Sequence, residues 1–290
     1  MAQPRENIHL LYNNLKTKKQ NMQYLPNIIY PDAEKLQLAK LEKLFGEWHQ
    51  HFTANNSELT KHDDEADGMV FDGFYPHYFS QKKRLLFVGW ETVDMWNSNY
   101  IDALYRAYHS DPKRIGNRNL DSHKFTYRLL CIAYGIVNGM PAWKDIPDAS
   151  EIADTVGEAN GLSFAFMNIS KMSNQSGSTK ANRSLIDTVF ALSTQNHNFI
   201  REQVAILDPE IIITMNLRDE MVEALGDECE FRHSSGAARS FRLNVGGRPR
   251  LMIDPNRHFS AWTAEGRGLD DDQDYYAPIC DLIRRDEASS

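Results

Sequence analysis

The chain has 290 residues, 41% hydrophobic and 25% charged, and a formal net charge of −8. That make-up suits a soluble globular protein and excludes a membrane protein, because its longest apolar runs fall far short of the ~20 residues of a spanning helix. The length fits one decorated α/β core with an extension. Cys131, Cys229 and Cys280 form no Cys-x-x-Cys pair, which excludes a disulfide framework or zinc ribbon. Met1 to Arg5 lack the apolar stretch of a signal peptide, so a cytoplasmic location is expected.

Residues 33 to 52, with Asp32 as N-cap, place Leu36, Leu38, Leu41, Leu44, Phe45 and Trp48 near helical spacing and predict an amphipathic helix. Thr53 to Asp67 is polar, acidic and aperiodic and reads as a loop. Its acidic run from His62 to Asp67 lacks the glycine and spacing of a calcium loop, and His49 and His51 cannot share a helix face, so no metal site is expected. An aromatic cluster from Phe71 to Phe79 leads into Leu85-Leu86-Phe87-Val88-Gly89, an unbroken apolar run typical of a central parallel strand. Helical patterns over 99 to 109 and 121 to 138 precede a second apolar run, Phe164 to Met167. One long helix is predicted over 182 to 206, followed by strands ending at Met215 and spanning Leu251 to Ile253. Gly246-Gly247 reads as a hairpin turn, since no nucleotide-cradling glycine pattern surrounds it. The alternation predicts an α/β fold: a three-layer α/β/α domain over 71–290 on a central, mostly parallel four-stranded sheet, with a helical extension over 1–70.

Ligands of parallel sheets bind beyond the carboxyl ends of the strands. Glu91 lies two residues past Gly89, where a carboxylate could activate water. Asn168 closes the second strand, and its amide could read the edge of a pyrimidine. His258 follows the fourth strand and could stabilise charge growing on a carbonyl oxygen. The loop from Lys171 to Arg183 mixes types suited to gripping phosphates.

A negative chain is an unusual nucleic-acid binder, but its charge is segregated. Six Lys and Arg between Arg106 and Arg128 face only Asp111 and Asp121, and six arginines between Arg232 and His258 face Asp254 alone. Acid gathers after Glu265. A basic face is therefore compatible with the net charge, as is a scatter of solvated charges.

At these strand exits the chain resembles the uracil-DNA glycosylase superfamily. Leu86-Phe87-Val88-Gly89-Trp90-Glu91-Thr92 is similar to the family's water-activating Gly-x-(Asp/Asn)-Pro loop, with Glu91 at the acid position and Thr92 in place of proline. Asn168 and Lys171 match an Asn-x-x-Lys motif, the stretch from Arg201 to Ile213 resembles the family's helix and Pro-x-Ile/Val strand, and His258-Phe259-Ser260 matches its His-Pro-Ser loop with Phe259 for proline. The match covers roughly residues 70 to 265, and the iron–sulfur cysteines of some branches are missing.

The resemblance implies a monofunctional DNA N-glycosylase that flips a uracil or modified pyrimidine, such as a modified phage cytosine, from DNA and leaves an abasic site without a cofactor. It implies Glu91 and His258 as catalytic groups. Gly89, Trp90, Thr92, Tyr100 and Asn168, with aromatics such as Phe74, would bind the base, and Lys171, Lys180, Arg183, Arg257 and Ser260 the DNA. The rival expectations are a catalytically silent DNA-binding or regulatory module of this fold and an unrelated α/β hydrolase of small nucleosides.

Overall fold

A computed structural model of the protein describes residues 22–175, 180–264 and 266–289. The first twenty-one residues of the expected extension, and part of the expected phosphate-gripping loop, lie outside the described residues. The longer helices are α1 (Lys35–Ala54), α2 (Tyr100–Tyr108), α3 (Lys124–Val137), α4 (Arg183–Thr194), α5 (Phe199–Leu207) and α6 (Ala277–Ser289). The main sheet holds β1 (Gly73–Phe74), β2 (Leu85–Gly89), β3 (Ala165–Asn168), β4 (Ile211–Thr214), β5 (Glu228–Ser234), β6 (Ala238–Val245) and β7 (Arg248–Pro255) in the order β1-β3-β2-β4-β7-β6-β5. The inner strands β3, β2, β4 and β7 are parallel. Antiparallel pairs add β1 to β3 at one side, and β6 and then β5 to β7 at the other.

The four apolar runs therefore became the four parallel strands, but the sheet is seven strands wide rather than four. Beyond Cys229, Phe231, Ala238, Phe241, Leu243 and Val245, the hairpin of β5 and β6 is built of polar residues, so no continuous apolar run marks it. Its neighbour β7 extends past its three central apolar residues, the only ones that β4 pairs with, because β6 pairs along its whole length. Gly246 and Gly247, at φ +57° and +75°, make the turn into β7.

Two helical expectations change. The stretch over 182–206 is two helices, because Asn198 takes the Arg201 N–H on its side chain and starts α5 afresh four residues after α4 ends. The expected loop after residue 53 is largely short helical turns, Asn56–Leu59, Thr60–His62 and Ala66–Gly68.

Strand alternation divides the core in two. Leu86, Val88, Met167, Ile212 and Met252 pack on one face of the sheet with Leu41, Leu44, Phe45, Trp48 and Phe52 of α1 and with apolar residues of α4 and α5. Leu85, Phe87, Phe166, Ile211, Ile213, Leu251 and Ile253 pack on the other with α2, α3 and α6. The helix of the expected extension thus shares a core with the sheet.

A buried ion pair joins these parts. Lys171 Nζ lies 2.7 and 2.8 Å from the two carboxylate oxygens of Asp72, with both side chains at or below 1% exposure. Gln203 of α5 donates to the same carboxylate at 2.6 Å, the Asn168 backbone N–H donates at 2.9 Å, and the ring of Trp48 lies 5.2 Å from the ammonium. Burial pulls the Lys171 ammonium below its ordinary pKa against the pull of Asp72. Removing one member leaves the other charged and dry, so Lys171→Met is expected to cost about 3–5 kcal/mol in urea unfolding, and the added Asp72→Asn change to restore much of it. A single variant as stable as the parent would refute this account of the pair.

Candidate functional site at the carboxyl ends of the parallel strands

Gly89 ends β2 directly opposite Asn168, the last residue of β3. Alternation turns Asn168 to the face that carries Phe166, and its amide oxygen sits where a Cβ on Gly89 would be, 2.6 Å away. A glycine is needed there for that approach. Asn168 is 4% exposed, and Asp72 fixes its backbone from behind. Beside it the Phe166 ring meets Tyr100 of α2 at 4.8 Å and Phe125 of α3 at 6.0 Å.

Phe125 also stacks on His258, with centroids 5.8 Å apart and planes 19° from parallel. Asn168 and His258, 90 positions apart in the sequence, are thus linked through two aromatic rings on one face of the sheet. The His258 Nδ1 accepts the Ser260 backbone N–H at 3.1 Å and lies 2.7 Å from the Ser260 hydroxyl. A backbone amide can only donate, so the neutral imidazole carries its proton on Nε2. Burial, helped by the Arg128 guanidinium, pushes the imidazole pKa down to about 4. At neutral pH His258 is an uncharged hydrogen-bond donor.

Glu91 is anchored on the segment that leads into α4. Its Oε1 accepts the Asn182 backbone N–H at 2.9 Å and the Asn174 amide at 3.4 Å, and thereby holds the start of α4. Its Oε2 is buried with no hydrogen-bond partner among the described residues. Burial raises the carboxyl pKa against these two bonds. Trp90 and Phe74 pack in the core on the face opposite Asn168, where Trp90 donates to the Met215 carbonyl, so neither lines the Asn168 side. The expectation for them misses because consecutive strand residues point to opposite faces. Thr92 is buried, and its carbonyl accepts the Asn174 N–H.

Of the cations expected on DNA, Lys171 is corrected outright: its ammonium is 0% exposed and paired with Asp72. The Arg183 guanidinium is exposed 5.9 Å from the Trp90 ring, Lys180 is exposed, Arg257 is half-buried and Ser260 is engaged on His258. Half of the arginines in the block over 232–258 are paired with Asp208, Asp219 or Asp254. Arg239 pairs with Asp219 and Asp254, and Arg248 and Arg250 with Asp208. Arg128, counted among the basic residues of the earlier block, is 1% exposed inside the protein.

Sequence reasoning missed Asp72, Phe125, Gln203, Arg128, Asp271 and Tyr275. Asp72 stood inside the aromatic cluster from Phe71 to Phe79, a carboxylate where burial was expected, and that mismatch was the only available sign. Among the described residues no group of three or more His, Cys, Asp or Glu could hold a metal ion, and no helix is long and apolar enough to cross a membrane. The chain matches no family model, no curated protein and no solved structure.

The low pKa of His258 has a measurable sign. Between its ordinary 6.5 and about 4, the unfolded chain binds a proton that the folded one does not. The stability this contributes is complete above pH 6.5, falls as the pH drops toward 4 and levels off below it. NMR should show the Nε2-protonated tautomer at pH 7 and a titration midpoint near 4; a midpoint at or above 6.5 would contradict this environment.

Proposed function

We propose that the protein is a DNA N-glycosylase that hydrolyses the bond between deoxyribose and a flipped-out pyrimidine, uracil or a modified cytosine. The observation that carries this reading is the meeting of Asn168 and a neutral, Nε2-protonated His258 on one face at the strand ends, with the Phe166 and Phe125 rings between them. The likeness of these strand-end segments to the uracil-DNA glycosylase superfamily supports it, and so do four parallel strands flanked by two cores, which fit a three-layer domain.

In this mechanism the pyrimidine is drawn out of the stack, at an unstacking cost of a few kcal/mol, and lies against the aromatic rings with its amide edge at Asn168. As the C1′–N bond lengthens, the bonding pair leaves with the base and positive charge grows on the sugar. His258 Nε2–H donates to the base oxygen that gains the charge, and a neutral imidazole does this without first losing a proton. Glu91 Oε2 takes one proton from the attacking water, whose oxygen bonds to C1′ and keeps the other as the sugar hydroxyl, and the departed base anion takes up a proton from solvent.

The engagement of Glu91 Oε1 with the Asn182 and Asn174 nitrogens favours a second reading, in which Glu91 only secures the loop and the protein binds DNA without cutting it. Glu91→Gln separates the two, because a glutamine oxygen can still accept both bonds while losing the base. On uracil-containing and modified-cytosine DNA, Glu91→Gln should slow base release about 100- to 10,000-fold. His258→Ala should slow it about 100- to 1,000-fold. Binding of DNA without base release by the unaltered protein on both substrates would overturn the glycosylase reading and leave the binding module.

A further inference from the structure

The turn that carries His258 has no regular secondary structure to hold it, yet groups from distant parts of the chain grip three of its four carbonyls. Arg128 of α3, a fully buried arginine, donates through Nη1 to the Phe259 carbonyl at 2.5 Å and the Ala261 carbonyl at 2.6 Å. The Tyr275 hydroxyl donates to the His258 carbonyl at 3.0 Å. Arg128 is itself fixed: Nε donates to Asp271 Oδ1 at 2.7 Å, and the guanidinium lies 4.4 Å from the centre of the Tyr275 ring. Lys124 closes the assembly on the second oxygen of Asp271 at 3.0 Å. Phe259, at 0% exposure, wedges its ring between Phe87 of β2 and Tyr275. A buried guanidinium with this many partners is costly to assemble unless each N–H is satisfied, so its geometry is specified closely.

We propose that Arg128 is a positioning residue for His258: with Asp271 and Tyr275 it clamps the turn from His258 to Ala261 against α3 and makes the segment ahead of α6 a working part of the site. The clamp holds the Ser260 N–H against Nδ1, which fixes the tautomer, and it sets a permanent positive charge behind the imidazole, which opposes a second one. The charged and titratable groups around the ring are Arg128 and Lys124 on α3, Arg257 next in the chain, and Asp271, Asp274 and Tyr275 ahead of α6. Asp271 is bound by both Lys124 and Arg128 and so does not serve as a counter-ion for the imidazole.

The catalytic consequence rests on His258 acting as the donor to the departing base, but the clamp can be read without any substrate. The imidazole of His258, identified by its absence in His258→Gln, would be titrated by NMR in the unaltered protein and in Arg128→Met, Arg128→Lys and Tyr275→Phe, with Ser260 N–H exchange followed in parallel. Arg128→Met should raise the midpoint by about one unit or more and remove the clear Nε2-protonated signature. Arg128→Lys should keep the low midpoint while losing part of the grip, and Tyr275→Phe should speed Ser260 exchange about tenfold with a smaller change in midpoint. Should Arg128→Met fail to fold, Tyr275→Phe and Asp271→Asn carry the test. Folded variants whose His258 midpoint and Ser260 exchange are both unmoved would overturn the proposal. On a cleavable substrate the acid limb of the pH–rate profile should shift with the NMR midpoint. If the NMR changes occur in a protein that releases no base, the glycosylase reading fails and the clamp stands.

Discussion

Asp72 and Lys171 bury a full charge pair beneath Trp48, and much of what lies at the strand ends depends on it. The carboxylate receives Lys171, the Gln203 amide and the Asn168 backbone N–H, so one group joins the segment leading into β1, the exit of β3 and α5. A carboxylate and an ammonium in a dry core tolerate little displacement, since each loses its compensation as the other moves. The pair therefore transmits the rigidity of the core to Asn168, whose side chain faces the opposite side of the sheet. It also explains why α1 belongs to the same core as the sheet: Trp48 and Phe45 close over the ammonium and keep water out.

The His258 side of the site is held by a different device with the same logic. A polar group from a neighbouring element is brought into the interior and hydrogen-bonded there, and it holds an irregular turn in place. Arg128 does for the turn after β7 what Asp72 does for the exit of β3. Between these two anchored ends lie the Phe166 and Phe125 rings, set edge to face, with Tyr100 tilted beside them, so an apolar aromatic cluster has a hydrogen-bonding group at either margin.

Charge is distributed to the same end. Arg239, Arg248 and Arg250 of the 232–258 stretch are paired by Asp208, Asp219 and Asp254, which stabilises the edge hairpin and the exit of β7 and leaves less free positive charge than the linear count suggests. Asp254 is buried at the end of β7, where it accepts the Leu217 N–H and pairs with Arg239, so its carboxylate ties the exits of β7 and β4 together.

By itself the sequence determined the class of fold and which residues stand at the exits of the parallel strands. Runs such as Leu85 to Gly89 and Ile211 to Ile213 can be stable only as strands covered on both faces, and a residue one or two places beyond such a run must emerge at the sheet rim. Asn168 and His258 were legible for that reason, as was the Gly246-Gly247 turn. Only the tertiary structure decided which face each of them meets and what lies behind it. Local pattern carries the period of a strand but not the identity of its distant neighbours, so it could not show that Trp90 faces the opposite core, that Lys171 is a buried counter-ion rather than a phosphate contact, or that Glu91 holds the start of α4. Those outcomes follow from contacts such as Asp72 with Lys171 and Arg128 with Phe259, made across 99 and 131 positions of chain. Their strength comes from exclusion of water, and that exclusion exists only once the whole core has closed.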